Sequence, residues 1–251
     1  MEWFCKGKEL IFRTIKDVEH FENLRSTYIP RLFETTEQRR KHLFKSHYFH
    51  CCCENCQNEE SDRFKKSSMS CPKCNECVPV MPRFSGKHEI SPLTTTSCNN
   101  CNYQMEGIKI EKFSELKSKI SNNLLNETGF EEFEALFERS VSIFHPYDID
   151  FMSLLNILWD RYNQEGNSRK GLTVGLLMLK NYEKNLPKNC LDRVNLELSI
   201  AQICNALSLF QEANKHVDKA EDILIVSRGK DHPLITDVCT WIREQINLNC
   251  I

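Results

Sequence analysis

His50-Cys51-Cys52-Cys53-Glu54-Asn55-Cys56, followed by Cys71-Pro72-Lys73-Cys74 and then Cys98-Asn99-Asn100-Cys101, is the part of the sequence that decides how this chain folds. Cys51, Cys53 and Cys56 form C-x-C-x2-C, and the later pairs form C-x2-C-x23-C-x2-C. Such spacings place two or three thiolates on one tight turn, where they face a single ion. Zn²⁺ takes four such ligands in a tetrahedron. Cys71, Cys74, Cys98 and Cys101 make a complete four-thiolate set. That set is closed and therefore structural, because no position is left for a substrate. Cys51, Cys53 and Cys56 are one ligand short; Cys5 or His50 can complete them. Cys52 should point away from its neighbours. Cys77 is either a substitute for Cys74 or a free thiol, and an exchange of ligands between the two clusters stays open.

Nine of the 14 cysteines lie between Cys51 and Cys101. In a secreted protein that density would mean a disulfide framework. The start, Met1-Glu2-Trp3-Phe4-Cys5-Lys6-Gly7-Lys8, has an early acid, early lysines and no apolar run of signal-peptide length. No stretch approaches the ~18 apolar residues of a membrane span. The expectation is a reducing, cytoplasmic and/or nuclear setting, in which paired cysteines hold metal. With 33 basic and 35 acidic side chains the formal net charge is −2, which gives no global case for nucleic acid or membrane. Arg63, Lys65, Lys66, Lys73, Arg83 and Lys87 add positive charge around the cysteines. They are scattered, with no recognition helix between the pairs, and read as solvated surface.

Outward from the cysteines the character changes. Leu10-Ile11-Phe12-Arg13-Thr14-Ile15 reads as a strand and Leu24 to Ile29 as a second. Thr35 with Gln38 fits a capping box, so a helix is expected from there to about Phe49. From about Ile110 the apolar residues take helical spacing. Phe130, Phe133, Phe137, Val141 and Phe144 share one face, with Pro146 as the stop. Leu172-Leu176-Leu179 and Ala213-Val217-Ala220 have the same internal spacing 41 residues apart, which suggests helix pairs of the tetratricopeptide kind. Gly229 sits where a helix C-cap belongs, and Pro233 suits the start of a last helix. The expected fold class is α+β, mostly α. Residues 1–49 form a small β-containing part, 50–109 a zinc-bound cysteine-rich segment, and 110–251 an antiparallel helical-repeat array. The helical array is expected to fold independently of the zinc segment, with residues 1–29 loosely held.

Asp17-Val18-Glu19-His20-Phe21-Glu22-Asn23-Leu24-Arg25-Ser26-Thr27-Tyr28-Ile29, then Glu37-Gln38-Arg39-Arg40-Lys41-His42-Leu43, then Tyr48-Phe49-His50-Cys51-Cys52-Cys53-Glu54-Asn55-Cys56 resembles the end of a SET domain and its post-SET segment in the SET-and-MYND family of protein lysine methyltransferases. The second set of cysteine pairs looks most like the insect-type branch of that family. Gly229-Lys230-Asp231-His232-Pro233 is similar to its tetratricopeptide-like C-terminal domain. The resemblance implies that residues 1–49 are a SET remnant. It implies that Tyr28 is the catalytic tyrosine, whose hydroxyl positions the target amine. It implies that Phe49 stacks on the adenine of S-adenosylmethionine, and that Cys51, Cys53 and Cys56 bind zinc with a fourth cysteine from an upstream Asn-His-Ser-Cys motif.

The chain departs from that pattern. It has no Asn-His dipeptide and no Gly-x-Gly, Phe21 stands in place of a glycine, and Asn23 in place of a glutamate. The expected function is therefore the C-terminal part of an S-adenosylmethionine-dependent protein-lysine N-methyltransferase, a transferase lacking most of its cofactor-binding SET half and inactive as this chain. Zinc is the expected cofactor, with S-adenosylmethionine bound only by a full-length family member. The alternative is a non-catalytic, zinc-braced scaffold. In either case a protein, histone or non-histone, is the expected partner of the helical domain.

Overall fold

The computed structural model describes residues 2–24, 26, 28, 34–58, 62, 66–80, 83–85, 89–91, 96–126 and 129–249. The fold class is as expected, α+β and mostly helical, with three separate two-stranded antiparallel sheets among the described residues. The chain packs as two compact units: residues 31–158, and residues 1–30 together with 159–251. These borders differ from those drawn on the sequence at residues 49 and 109.

In the unit of residues 31–158, helix α1 (Thr36–His47) begins at the expected capping box. Gln38 N–H donates to Thr35 Oγ1, and Thr35 N–H to the Gln38 side chain. It stops at Tyr48, which turns left-handed at φ 58°. A single turn, α2 (Glu54–Gln57), follows. Strands β3 (Ser68–Ser70) and β4 (Cys77–Pro79) form a hairpin. The short pair β5 (Arg83–Ser85) and β6 (Glu89–Ser91) lies between the cysteine pairs. Helices α3 (Gly107–Asn126) and α4 (Phe130–Ser140) come next, and α5 (Ile149–Glu165) begins in this unit. The face predicted to run to Phe144 stops being helical at Ser140. Ser140 carbonyl then accepts from the N–H of Ile143 and Phe144, and Phe144 swings into the core from a turn. Its ring packs tilted against Phe113 and Phe151 there, at centroid distances of 4.4 and 5.4 Å.

The helices of this unit share backbone hydrogen bonds with the cysteine segment. One edge of β3 pairs with β4. The other meets the α4–α5 connection: Ser70 N–H donates to Ile143 carbonyl at 2.9 Å, His145 N–H to Ser68 carbonyl at 3.0 Å, and Met69 faces Phe144. Asp148 lies at the centre of this joint with a fully buried side chain. Its carboxylate accepts from Ser68 N–H (3.2 Å), from Asp150 and Phe151 N–H (both 3.1 Å) and from Lys117 Nζ (2.8 Å). Asp148 thus caps α5, neutralises Lys117 of α3 and holds β3. A backbone strand with an unsatisfied edge finds its partner here, and that need overrides the change of composition near residue 110.

In the other unit, β1 (Glu2–Lys6) and β2 (Glu9–Arg13) form a hairpin around Gly7, at φ 62°. Of the run predicted as a second strand, Leu24, Ser26 and Tyr28 are irregular, and Arg25, Thr27 and Ile29 lie outside the described residues. Nor is the hairpin loosely held. Phe4 meets His232 edge-on at 5.3 Å, the Arg228 guanidinium sits 5.0 Å over Phe4 and donates to Trp3 carbonyl, and Arg13 Nε donates to Val226 carbonyl at 3.2 Å. Helices α6 (Ser168–Asn185), α7 (Leu191–Ala206) and α8 (Phe210–Ser227) follow, joined by connections of few residues that make neighbours antiparallel. Gly229, at φ 98°, turns the chain after α8 as expected. A π-helical stretch, Leu234–Cys239, then leads into α9 (Thr240–Asn249).

Helix α7 packs against both α6 and α8 and is buried nearly all round. Ala213, Val217 and Ala220 of α8 are fully buried, as their spacing implied. On α6 the buried face is Gly171, Val174, Gly175, Met178, Leu179 and Asn181; Leu179 is buried as expected, Leu172 is half-buried and Leu176 is 41% exposed. Gly171, Gly175 and Met178 are buried at the same spacing as Ala213, Val217 and Ala220, one residue before the expected leucines. Gly175 explains the shift. A Cβ there would lie 2.5 Å from the Trp159 ring and 3.1 Å from Ile200, so only glycine admits the close packing.

Burial pushes the Asp148 carboxyl up to about 6, against the Lys117 ammonium and the Phe151 N–H that favour its charged form. A raised folded-state value means that the folded protein holds this proton more readily than the unfolded chain. The stability from this group is fully present below about pH 4 and is lost as pH rises through 6. Asp148→Ala, which leaves three N–H groups without their acceptor and Lys117 with Asp150 as its remaining acid, should destabilise the zinc-loaded chain by about 3 kcal/mol in urea unfolding. Asp148→Asn cannot titrate, so its deficit should be smaller at pH 7 than at pH 5.

Candidate metal centres

The two C-x2-C pairs fold into the same turn. Cys71 N–H donates to Glu76 carbonyl at 2.9 Å and Asn75 N–H to Cys71 carbonyl at 2.8 Å. In the second pair Cys98 N–H donates to Tyr103 carbonyl and Asn102 N–H to Cys98 carbonyl, both at 2.9 Å. Each turn closes on an asparagine in the left-handed region, Asn75 at φ 58° and Asn102 at φ 55°. Asparagine tolerates that region better than most side chains. Its presence directly after Cys74 and after Cys101 is a signal that the cysteine count alone overlooks.

The turns meet because Thr96 Oγ1 donates to Pro79 carbonyl at the end of β4, placing the second turn beside the first. Cys71, Cys74, Cys98 and Cys101 then have all their sulfurs within 4.8 Å of one another, with Cys71–Cys101 at 3.6 Å and Cys74–Cys98 at 3.5 Å. Four Zn–S bonds of 2.3 Å in a tetrahedron require sulfurs about 3.8 Å apart. Cys71 and Cys98 are fully buried, while Cys74 and Cys101 are partly exposed. The tetrad suits a structural zinc ion. Cys77 is not part of it; it opens β4 opposite Ser70.

Without a cation the tetrad shares its protons unevenly. The Glu76 backbone N–H, helped by the Asn100 side chain and the neighbouring thiols, pulls Cys74 down to about 6. Cys101 receives a backbone N–H from Tyr103 that lowers it. Desolvation and the other three sulfurs nevertheless push it up to about 12. A dication at the centre supplies the charge that lets all four ionise.

Cys51, Cys53 and Cys56 are also brought together, and among the described residues no fourth side chain joins them. Cys56 is buried, Cys51 is half-buried and Cys53 is exposed, so the group is closed on one side and open on the other. Burial, with Cys53 and Cys56 adding to it, pushes the Cys51 thiol up to about 11. Cys52 points elsewhere, as expected, toward His50 carbonyl. His50 does not complete the set; its ring stacks on Phe44 at 5.0 Å. Cys5 is exposed on β1 and is not among the grouped ligands either.

Helix α1 positions this loop. Arg40 donates to Cys51 carbonyl at 3.2 Å and to Cys56 carbonyl at 3.1 Å, and Arg39 Nη2 lies 3.5 Å from Cys56 Sγ. Beyond the loop, Asp62 returns to the start of α1, where it accepts from Thr36 N–H at 2.7 Å. Reading the cysteines alone overlooks these arginines. Tyr28 lies in the unit of residues 1–30 and 159–251 and is 61% exposed. Phe49 follows α1 in the other unit and is 37% exposed.

Native mass spectrometry should find two zinc ions per chain, the tetrad's retained and the three-cysteine ion lost first as chelator is added. Thiols held at about 11 and 12 must release protons on binding, so zinc affinity should rise with pH at both centres. Cys98→Ala should remove only the tighter ion.

No protein-family model matches the chain. Individual proteins do. N-lysine methyltransferase SMYD2 of Gallus gallus is 26% identical over 239 residues, covering 93% of this chain and 48% of that protein. SMYD2 of Homo sapiens is 25% identical over the same extent. The histone-lysine N-methyltransferase SMYD3 of Homo sapiens is 21% identical over 238 residues, 95% of this chain and 47% of that protein. The chain spans about half the length of the relatives it matches. Along nearly its whole length the chain is thus similar to the C-terminal half of SET-and-MYND lysine methyltransferases.

Proposed function

We propose that this chain acts as the C-terminal half of a SET-and-MYND-type protein lysine methyltransferase, with two zinc-binding braces and a helical surface for a protein partner. The observation that carries the reading is the three-cysteine group at the end of α1, within a match that runs through 93% of the chain. On this reading Tyr28 orients the target lysine amine, Phe49 offers a face to the adenine of S-adenosylmethionine, and α6 to α9 present the partner surface. S-adenosylmethionine supplies the methyl group in such enzymes. The remaining cofactor contacts come from a further half with the Asn-His and glycine-rich motifs, which residues 1–251 do not contain.

The second reading, a non-catalytic scaffold, draws on Phe21 and Asn23, which replace the family's glycine and glutamate. Phe21 is 86% exposed. Calorimetry and radiolabelled methyl transfer on histone and non-histone proteins separate the two, with the chain tested alone and joined to the coding sequence upstream of Met1. The chain alone should not bind the cofactor appreciably. An aromatic stack contributes about 1 kcal/mol beyond its buried area, whereas micromolar affinity is about 8 kcal/mol. The joined protein should bind and transfer. Micromolar binding by the chain alone would refute the division of labour, and an upstream sequence without the missing motifs would leave the scaffold.

A further inference from the structure

The side chain of Arg39 is a buried cation whose described contacts include no carboxylate. Arg39 is only 4% exposed. Its guanidinium donates to Glu34 carbonyl, to Thr36 Oγ1 at 3.0 Å and to Cys56 Sγ at 3.5 Å. Asp62, which shares Thr36 Oγ1 with Arg39, is taken up by Thr36 through both its N–H and its hydroxyl. Arginine stays charged in a protein, and a charge removed from water needs a counter-charge close by. Among the described residues the ionisable group in direct contact with the guanidinium is the Cys56 sulfur, while the Asp62 carboxylate lies one hydroxyl away, across Thr36 Oγ1. Cys56 is the buried member of its cluster, so the charge that develops there is the least relieved by water.

We propose that Arg39 is the built-in counter-ion of the Cys51/Cys53/Cys56 metal centre, a positioning residue that stabilises its ionised, metal-loaded form. The proposal rests on the reading that these three cysteines hold a metal ion. Three thiolates around a dication sum to −1, and a fourth thiolate makes −2, so the loaded centre is an anion in either case. Arg39 faces that anion from its buried side, pre-oriented by its bonds at the start of α1. The opposite side, at Cys53, is open to solvent or to a fourth ligand. Arg40 has a different task. It grips the loop through the carbonyls of Cys51 and Cys56, which fixes the backbone but leaves the sulfur charge unanswered. A residue that touches a ligand sulfur in this way tunes affinity without being a ligand.

The test is cadmium NMR of the full chain, because the cadmium resonance reports how many thiolates surround it and separates the two centres. Wild-type protein should show one four-thiolate resonance and a second with fewer thiolates. Under chelator competition, Arg39→Met should lose the second resonance at about 10–100-fold lower chelator than wild type. The four-thiolate resonance should stay unmoved and serve as the control for folding. Arg39→Lys, which keeps the charge and loses the fork, should fall between the two. Equal retention in Arg39→Met and wild type would overturn the proposal. So would an Arg39→Lys as weak as Arg39→Met, since charge would then be irrelevant, or an Arg40→Met as damaging as Arg39→Met, since loop anchoring would then be the whole effect. Absence of the second resonance from wild type would sink the underlying reading of the three cysteines as a metal centre.

Discussion

The buried carboxylate of Asp148 is the contact on which the architecture of residues 31–158 depends. It sits where a strand of the cysteine hairpin, the long helix α3 and the start of α5 converge, and it answers a need of each. The strand needs an acceptor for Ser68 N–H, the helix needs a counter-charge for Lys117, and α5 needs a cap for its first N–H groups. One side chain meets all three because it has two oxygens and about four acceptor directions. Around it the backbone of β3 finishes its edge on the α4–α5 connection, and Phe113, Phe144 and Phe151 close the core below. The zinc-ready turns and the helices following them are therefore parts of one packed body.

The same economy governs the two cysteine groups, with different outcomes. The tetrad is assembled from two copies of one turn, each closed by a left-handed asparagine and each contributing one buried and one partly exposed sulfur. Its geometry is set by backbone hydrogen bonds before any ion arrives, and the sulfur distances are close to what zinc requires. The three-cysteine group is built on one short loop, so it cannot close a tetrahedron by itself. It leans on α1 for its shape, through carbonyls held by Arg40, and for its electrostatics, through Arg39.

In the remaining unit the helices follow a simpler rule. Short connections make α6, α7 and α8 antiparallel neighbours, and the middle helix is buried on nearly every side. Within that core a Glu197 carboxylate meets His216 at 2.5 Å, and its other oxygen has no partner among the described residues. Such a buried polar pair favours one arrangement of α7 against α8, because any slip would strand both groups. The N-terminal hairpin belongs with these helices, held by Arg228, Arg13 and the Phe4–His232 contact.

Local chemistry was legible in the sequence wherever the determining residues are close neighbours. The C-x2-C pairs named the tetrad, Thr35 and Gln38 named the start of α1, Gly229 named the end of α8, and Ala213, Val217 and Ala220 named a buried helical face. Each of these is settled within a turn or two of chain. What the sequence did not disclose was everything that depends on a partner far along the chain. The strand expected at Leu24 to Ile29 is irregular at its described residues, and Glu2–Lys6 is the segment that pairs with β2. The buried face of α6 takes in Leu179 but is shifted off Leu176 by Gly175, whose close approach to Trp159 and Ile200 outweighs the apolar count. Hydrogen bonds from β3 to the α4–α5 connection cross the border predicted near residue 110, because a strand edge buried without partners is costly. Asp148 and Arg39 look like ordinary surface charges on paper. Only the tertiary structure removes them from water, and it is desolvation that turns a common charge into one that must be answered by a particular neighbour.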